Sequence, residues 1–112
     1  MKIAIPTVDG KVAQHFGHCG TFALYDVDPQ EATINESTTE DPPPHEPGVL
    51  PRWLNQRGVD LILAGGMGRR AQNLFRDSGV DVIVGAPPEP PEDIIRLYLD
   101  DELQTGDNLC AH

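Results

Sequence analysis

The stretch that most limits how this chain can fold is residues 61–70, Leu-Ile-Leu-Ala-Gly-Gly-Met-Gly-Arg-Arg. A short apolar run of strand type leads into three glycines within four residues, and two arginines then open a helix-forming segment. Glycines allow a sharp backbone turn and let a ligand approach the main-chain N–H groups. A helix start adds unpaired N–H donors and the positive end of the helix dipole. The stretch therefore predicts a strand–turn–helix unit with an anion site at its turn.

Hydrophobic patterning around this unit predicts an α/β domain. In the second half of the chain, apolar strand-like runs alternate with segments of helical periodicity, which is typical of parallel strands buried on both faces. In the first half, a short strand that ends at Pro6 is followed by a hairpin whose second strand is polar. We expect a three-layer α/β/α architecture with a mixed sheet of about five strands. The predicted elements are strands at residues 2–5, 21–27, 32–38, 59–64 and 80–84, and helices from residue 49, over 68–78 and from residue 90.

Length and charge limit the classes of function. One domain is expected over residues 1–100, with residues 101–112 as a flexible tail. No apolar run is long enough to span a membrane and the start does not read as a signal peptide, so we expect a cytoplasmic protein without a membrane partner. The formal net charge of −10 disfavours nucleic acid as a partner. Five arginines lie between residues 50 and 80, however, and an anion pocket there is compatible with an acidic exterior.

Two nucleotide-binding motifs are excluded because residues that they require are missing. Gly66-x-Gly68-x-x-Ala71 matches the dinucleotide pattern with alanine last, but the acid expected at the end of the next strand is missing at residues 84–87. A P-loop would need Gly-Lys followed by Ser or Thr, which the chain lacks. Paired acids and a nucleophile elbow are missing as well, so an enzyme is not expected and no catalytic residue is predicted.

A second constellation combines imidazole and thiol groups. His15, His18 and Cys19 fall within five residues of a glycine-containing loop, and Cys110 and His112 stand two positions apart at the C-terminus. Four nitrogen and sulfur ligands would suit zinc or copper. Neither segment has the usual Cys-x-x-Cys or His-x-x-x-His spacing. A buried small cysteine with solvated histidines therefore explains residues 15–19 equally well, and it explains the C-terminal pair better.

Four short motifs follow one another along the chain in a recognisable order. They are Met1-Lys2-Ile3-Ala4-Ile5-Pro6, His15-Phe16-Gly17, Gly65-Gly66-Met67-Gly68 and the closing Gly106-Asp107-Asn108-x-Cys110-x-His112. Together they resemble the dinitrogenase iron–molybdenum cofactor biosynthesis family. The proline-rich loop at residues 42–48 is similar to that of stand-alone members and of the orange protein, a member that carries a molybdenum–copper sulfide cluster. The resemblance spans essentially the whole chain.

The resemblance implies an RNase H-like fold and non-enzymatic binding of a preformed metal–sulfur cluster that contains molybdenum, with copper or iron. It implies that a histidine can ligate the cluster, with His15 as the first candidate and His18 and His45 behind it. Partner proteins of cluster biosynthesis or of ATP-binding type are implied too. The predicted cofactor-binding residues are Phe16, Gly17, Gly65, Gly66, Met67, Gly68, Arg69 and Arg70, and the predicted metal ligands are His15, His18, Cys19, His45, Cys110 and His112.

The chemistry of the residues agrees with such a ligand. Thiomolybdate-type clusters are anionic and soft, so a pocket for them needs N–H donors, guanidinium groups and few soft ligands. Two alternatives stay open at this point. One is a protein that binds mononuclear zinc or copper through the histidines and cysteines, and the other is a regulatory module whose glycine turn contacts a protein partner.

Overall fold

A mixed six-stranded sheet organises the domain. The computed structural model describes residues 1–18, 20–44 and 48–106. In chain order, the elements are β1 (Lys2–Val8), β2 (Lys11–Val12), a 3-10 turn (Phe16–His18), β3 (Thr21–Asp28), β4 (Thr33–Glu40), α1 (Val49–Gln56), β5 (Leu61–Leu63), α2 (Arg69–Asp77), β6 (Asp81–Ile83) and α3 (Pro91–Leu99). The strand order is β4-β3-β1-β5-β6, and β2 pairs with the end of β1. Strand β1 is antiparallel to β3 and parallel to β5, so it joins the hairpin half to the parallel half.

The apolar side chains of the inner strands point alternately to the two faces of the sheet, and they form two separate cores. Successive side chains of a strand point to opposite faces of the sheet. On one face Ala4, Leu24 and Ile62 pack with Leu54 of α1 and Phe75 of α2. On the other face Ile3, Tyr25 and Leu63 pack with Ile94 and Ile95 of α3. The predicted three-layer α/β/α arrangement is therefore confirmed, with α1 and α2 in one outer layer and α3 in the other. The finer RNase H-like assignment stays a prediction.

The helix starts lie where proline and glycine allow them. Pro51 falls in the first turn of α1, where its missing N–H costs no helical hydrogen bond. Pro91 opens α3 at the first helical position, followed by two acids in the first turn, Glu92 and Asp93, which suit the positive end of the dipole. These elements match the sequence-based prediction to within a few residues at each end.

The predicted end of the first strand at Pro6 is wrong, because β1 continues to Val8. The carbonyl of Pro6 accepts a hydrogen bond from the Ala13 N–H at 2.9 Å, so this residue's hydrogen-bonding edge faces away from β3. The missing proline N–H therefore leaves no gap in the long antiparallel ladder, where Pro6 lies opposite Phe22. Parallel pairing to β5 involves only Ile3 and Ala4. A proline past that point does not interrupt the central pairing.

An ion pair ties the end of β4 to the end of α1. The Arg57 side chain contacts Glu40 through two nitrogens, with Nη2 at 2.8 Å and Nε at 2.9 Å from Oε1. The same guanidinium lies 4.2 Å from the centre of the Trp53 ring. The hydrogen bond from Arg57 lowers the pKa of Glu40 below its usual value, and the Arg57 and Lys2 charges add to this effect, while partial burial opposes it.

We expect Glu40→Gln to lower stability slightly at neutral pH and not in acid. A lowered folded-state pKa gives stability that is present above the unfolded value and is lost as the pH falls through the folded value. Both side chains are about one-third exposed, so the expected fall in Tm near pH 7 is only about 1–3 °C, and it should shrink as the pH falls below the usual glutamate pKa of about 4.3. Thermal unfolding followed by circular dichroism measures it. Glu36→Gln, on the exposed part of the same strand, is the control, and equal effects of the two substitutions would contradict the ion pair.

The first part of the predicted flexible tail returns to the domain. The Glu102 N–H donates to the Leu97 carbonyl at 2.8 Å, and Leu103 packs against the core beneath α3. The Gly106 N–H then donates to the Gly85 carbonyl at 2.8 Å. Residues 107–112 lie outside the described part of the chain.

Candidate functional site

The parallel strands β1, β5 and β6 all end at one edge of the sheet. Ligands of open α/β sheets bind outside the carboxyl ends of parallel strands. Here the connections after the three strands are linked by main-chain hydrogen bonds, with the Val12 N–H donating to Glu89 and the Phe16 N–H donating to Gly66. The loop that follows β1 and the loop at residues 65–68 therefore meet at this edge.

The glycine loop (residues 65–68) directs its carbonyls towards the protein. The Gly65 carbonyl accepts from the Gly85 N–H, and the Gly66 carbonyl accepts from the Phe16 N–H, both at 2.8 Å. The Met67 carbonyl accepts from Nε2 of Gln72, also at 2.8 Å. Three acceptors are thus satisfied from three different parts of the chain. These hydrogen bonds fix the loop and engage its carbonyls within the protein.

Hydrogen-bond donors of the same loop adjoin the start of α2. Within the described ranges, the N–H groups of Gly66 and Gly68 donate no hydrogen bond to a backbone carbonyl. Gly68 precedes α2 in an extended conformation, gives no side-chain cap, and no acidic residue lies in the first turn. The first N–H groups of a helix have no partner within the helix. The start of α2 therefore has N–H donors and the positive end of the helix dipole, and its own first turn holds no acid.

Two guanidinium groups stand at this helix start. Arg69 and Arg70 are exposed, and neither forms an ion pair with another residue of the described ranges. Arg76, in contrast, lies in the last turn of α2. The sequence-predicted combination of glycine N–H groups and two arginines is present as one local unit.

Gly65 has a packing role that its sequence context did not reveal. A β-carbon at Gly65 would lie 2.6 Å from the Ala13 carbonyl oxygen, 2.7 Å from Nε2 of Gln14 and 3.0 Å from the Gln14 α-carbon. Two of those three neighbours are main-chain atoms, which cannot move without shifting the loop. Gly65 is therefore required for the close approach of residues 13–16 to the glycine loop.

The side chains of Phe16 and Met67 are part of the core. Phe16 packs edge-to-face against Phe75 at 5.5 Å and against Phe22 at 6.0 Å between ring centres. Met67 is fully buried in the same cluster. Phe16 and Met67 are among the predicted cofactor-binding residues, and the structure places both side chains inside the protein. Contact of residues 16 and 67 with a ligand, through the backbone, stays a prediction.

The predicted metal ligands are only partly placed. His15 is exposed and lines a cavity of about 470 Å³, together with Asp9, Lys11 and Gln14. The 3-10 turn brings Gly17 to the surface directly after Phe16. His18 ends that turn, and only its backbone is described. The other four, which are Cys19, His45, Cys110 and His112, lie outside the described residues.

The described ranges contain no group of three or more His, Cys, Asp or Glu side chains that could hold a metal ion. Within these ranges the glycine loop and the start of α2 hold groups of the kind that suit an anion, and there is no complete set of metal ligands. Sequence reasoning also missed three residues that shape this edge, Gln14, Gln72 and Gly85. Their contacts are with residues in other loops, and only the turn-forming Gly85-Ala86-Pro87 gave a local signal.

None of the helices in the described ranges is both long and apolar enough to cross a membrane.

Sequence comparison matches residues 1–101 to a family described as dinitrogenase iron-molybdenum cofactor. The uncharacterized protein MJ0580 of Methanocaldococcus jannaschii is 28% identical over 107 residues, which are 93% of this chain and 90% of that protein.

Solved structures share the fold. The crystal structure of PH0822 superposes with a TM-score of 0.85 at 27% identity, covering 95% of this chain and 96% of that one. The apo form of the orange protein from Desulfovibrio gigas gives a TM-score of 0.72 at 21% identity, covering 96% and 93% of the two chains. At that identity the second likeness shows the fold alone.

Proposed function

The chain belongs to the dinitrogenase iron–molybdenum cofactor family, and on that premise we propose that it carries a preformed, anionic metal–sulfur cluster at the glycine loop and the start of α2. Family membership links the protein to metal-cofactor binding in general. The finer proposal names the class of cluster, a sulfide of molybdenum with copper or iron, and its place on the protein. It also holds that the protein binds the cluster without catalysing a reaction.

One observation carries the proposal. The glycine loop directs its carbonyls inward, while the N–H groups at the start of α2 and the guanidinium groups of Arg69 and Arg70 meet no acid in the first turn. In a chain of formal net charge −10, such a local concentration of donors and cations suits an anion. Exposed charges beyond about 8 Å are largely screened at physiological ionic strength, so the local groups dominate.

The residues fit a sulfide-rich polyanion better than a small hard cation. N–H and guanidinium groups are donors only, so they bind anionic sulfide or oxide atoms and cannot coordinate a metal ion. The same groups supply neither a nucleophile nor a proton acceptor, which supports carriage rather than turnover. His15, which lines the neighbouring cavity, is a described side chain that could add a direct metal bond. Cytoplasmic location and protein partners of cluster biosynthesis or ATP-binding type stay predictions.

Reconstitution under anaerobic conditions tests the proposal. Protein incubated with tetrathiomolybdate and a copper salt should elute from a desalting column with a visible charge-transfer band that the free reagents lack. Metal analysis of the same fraction should give a fixed ratio of molybdenum to protein. Because the contacts are between charges, retention should fall as the salt concentration rises. A colourless, metal-free protein fraction would refute the proposal.

A further inference from the structure

Gln72 holds two consecutive peptide groups where the glycine loop joins α2. Its main-chain N–H donates to the Gly68 carbonyl at 3.1 Å, which is an ordinary i to i−4 bond at the start of a helix. Its side-chain Nε2 donates to the Met67 carbonyl at 2.8 Å, one residue further back. Met67 precedes Gly68, the N-cap of α2. The half-buried Gln72 side chain therefore holds a peptide group that lies outside the helix.

The two hydrogen bonds also fix the direction of two N–H groups. A trans peptide is planar and its N–H points opposite to its C=O, and no peptide bond within the described ranges is cis. Because the Met67 and Gly68 carbonyls both point towards Gln72, the N–H groups of Gly68 and Arg69 point away from it. The N–H groups of a helix point towards its N-terminus in the same way. The Gln72 side chain thus adds the Gly68 N–H to the N–H groups at the start of α2.

The helix itself does not hold this peptide group. Gly68 is extended, with φ −64° and ψ 153°, so regular helical bonding begins only after it. Glycine gives the backbone wide rotational freedom, and a Met67 carbonyl without a donor would be able to turn towards the helix start. There the negative end of the carbonyl dipole would oppose an anion. The Gln72 amide prevents that rotation.

We propose that Gln72 is a positioning residue of the cluster site. By holding the Met67 carbonyl, it orients the Gly68 N–H as a hydrogen-bond donor to a sulfide or oxide atom of the anionic cluster. The inference rests on the proposed function, and it adds to that function a residue that itself gives no atom to the cluster.

Two adjacent amide side chains of α2 supply a matched pair of variants. Asn73 is exposed, and its side chain forms no hydrogen bond with the glycine loop among the described residues. Gln72→Glu and Asn73→Asp each replace an amide by a carboxylate of nearly the same shape, and each adds one negative charge. Gln72→Glu also removes the donor to Met67 at neutral pH. Gln72→Met removes that donor with no change of charge and little change of length.

Cluster retention is measured after loading each full-length variant with tetrathiomolybdate and a copper(I) salt. Gln72→Met should lower retention by roughly tenfold and Gln72→Glu by roughly 100-fold, the range seen when a group that orients a ligand is removed. Asn73→Asp should stay within about fivefold of wild type, because it adds only an exposed charge. Thermal unfolding shows that retention is compared on folded protein.

Nuclear magnetic resonance gives a readout that a merely structural role of Gln72 would not change. In the wild type, loading should shift the amide proton resonance of Gly68, because that N–H gains an anionic acceptor. In Gln72→Met, the Met67 carbonyl carbon should shift before any loading, and the response of the Gly68 amide to loading should shrink. In Asn73→Asp, both resonances should behave as in the wild type.

The outcomes separate this inference from the proposed function. A wild-type protein that takes up no cluster would refute both. Uptake by the wild type with equal retention in Gln72→Met would overturn the positioning role alone, and so would equal losses in Gln72→Glu and Asn73→Asp. An unmoved Gly68 amide in the loaded wild type would also overturn it, and that measurement needs no variant to fold.

Discussion

Gly65→Ala should abolish cluster retention and destabilise the fold. The added β-carbon would lie 2.6 Å from the Ala13 carbonyl oxygen, so residues 13–16 would have to move away from the glycine loop. The hydrogen bond from the Phe16 N–H to Gly66 would then be strained or lost. Overpacking of this kind costs about 1–3 kcal/mol. For a domain of this size, that corresponds to a Tm lower by roughly 4–12 °C.

Gly20→Ala is the matched control for this substitution. Gly20 lies at the far end of the same loop, and among the described residues a β-carbon there would meet only the Thr7 carbonyl oxygen, at an ordinary 3.9 Å. We expect its stability within about 0.5 kcal/mol of wild type. Thermal unfolding and cluster retention should be measured on both variants. If Gly65→Ala matched Gly20→Ala in both, the close approach would not be a requirement of the site.

The combined substitution Arg69→Glu with Arg70→Glu should remove cluster binding without harming the fold. It replaces two cations beside the proposed anion with two acids, and charge-assisted contacts are worth about 1.5–3 kcal/mol each. We expect retention to fall by about 100-fold or more, since each 1.4 kcal/mol is tenfold. The two residues are exposed, and acids near a helix N-terminus stabilise the helix. The Tm should therefore stay constant or rise slightly.

Arg76→Glu on the same helix should behave in the opposite way. Arg76 is in the last turn of α2, where a cation is favourable and an acid costs about 0.3–1 kcal/mol. It stands seven residues from Arg69, or about 10 Å along the helix axis, which exceeds the screening length at physiological salt. The variant should lose some stability and keep the cluster. Equal losses of retention in the two variants would indicate a response to net charge, with no anion site at the helix start.

Much of the candidate site could be predicted because its signals are local. Three glycines between an apolar run and two arginines define a turn and a helix start wherever they occur in an α/β fold. The structure confirms that turn, that helix and the three-layer arrangement. Pro6 shows the limit of a local rule, because whether a proline ends a strand depends on which neighbour its hydrogen-bonding edge faces.

The features that the sequence did not reveal depend on contacts between distant segments. Gly65 and Gly85 read as turn residues, yet each is crossed by another part of the main chain. Phe16 reads as part of a binding loop, yet its ring fills the space between Phe22 and Phe75. The return of residues 101–106 to the sheet had no periodic signal. The roles of Cys19, His45, Cys110 and His112 stay predictions, because these residues lie outside the described ranges.

The amino-acid sequence by itself determined the order of strands and helices, the position of the glycine turn and the family resemblance. Those properties follow from periodicity, glycine, proline and charge over a few neighbouring residues. The tertiary structure alone decided which glycine carbonyls are bonded within the protein, and which loops meet at the sheet edge. These contacts depend on the packing of main-chain segments that are far apart in the chain. No pattern within one segment specifies which other segment will pack against it.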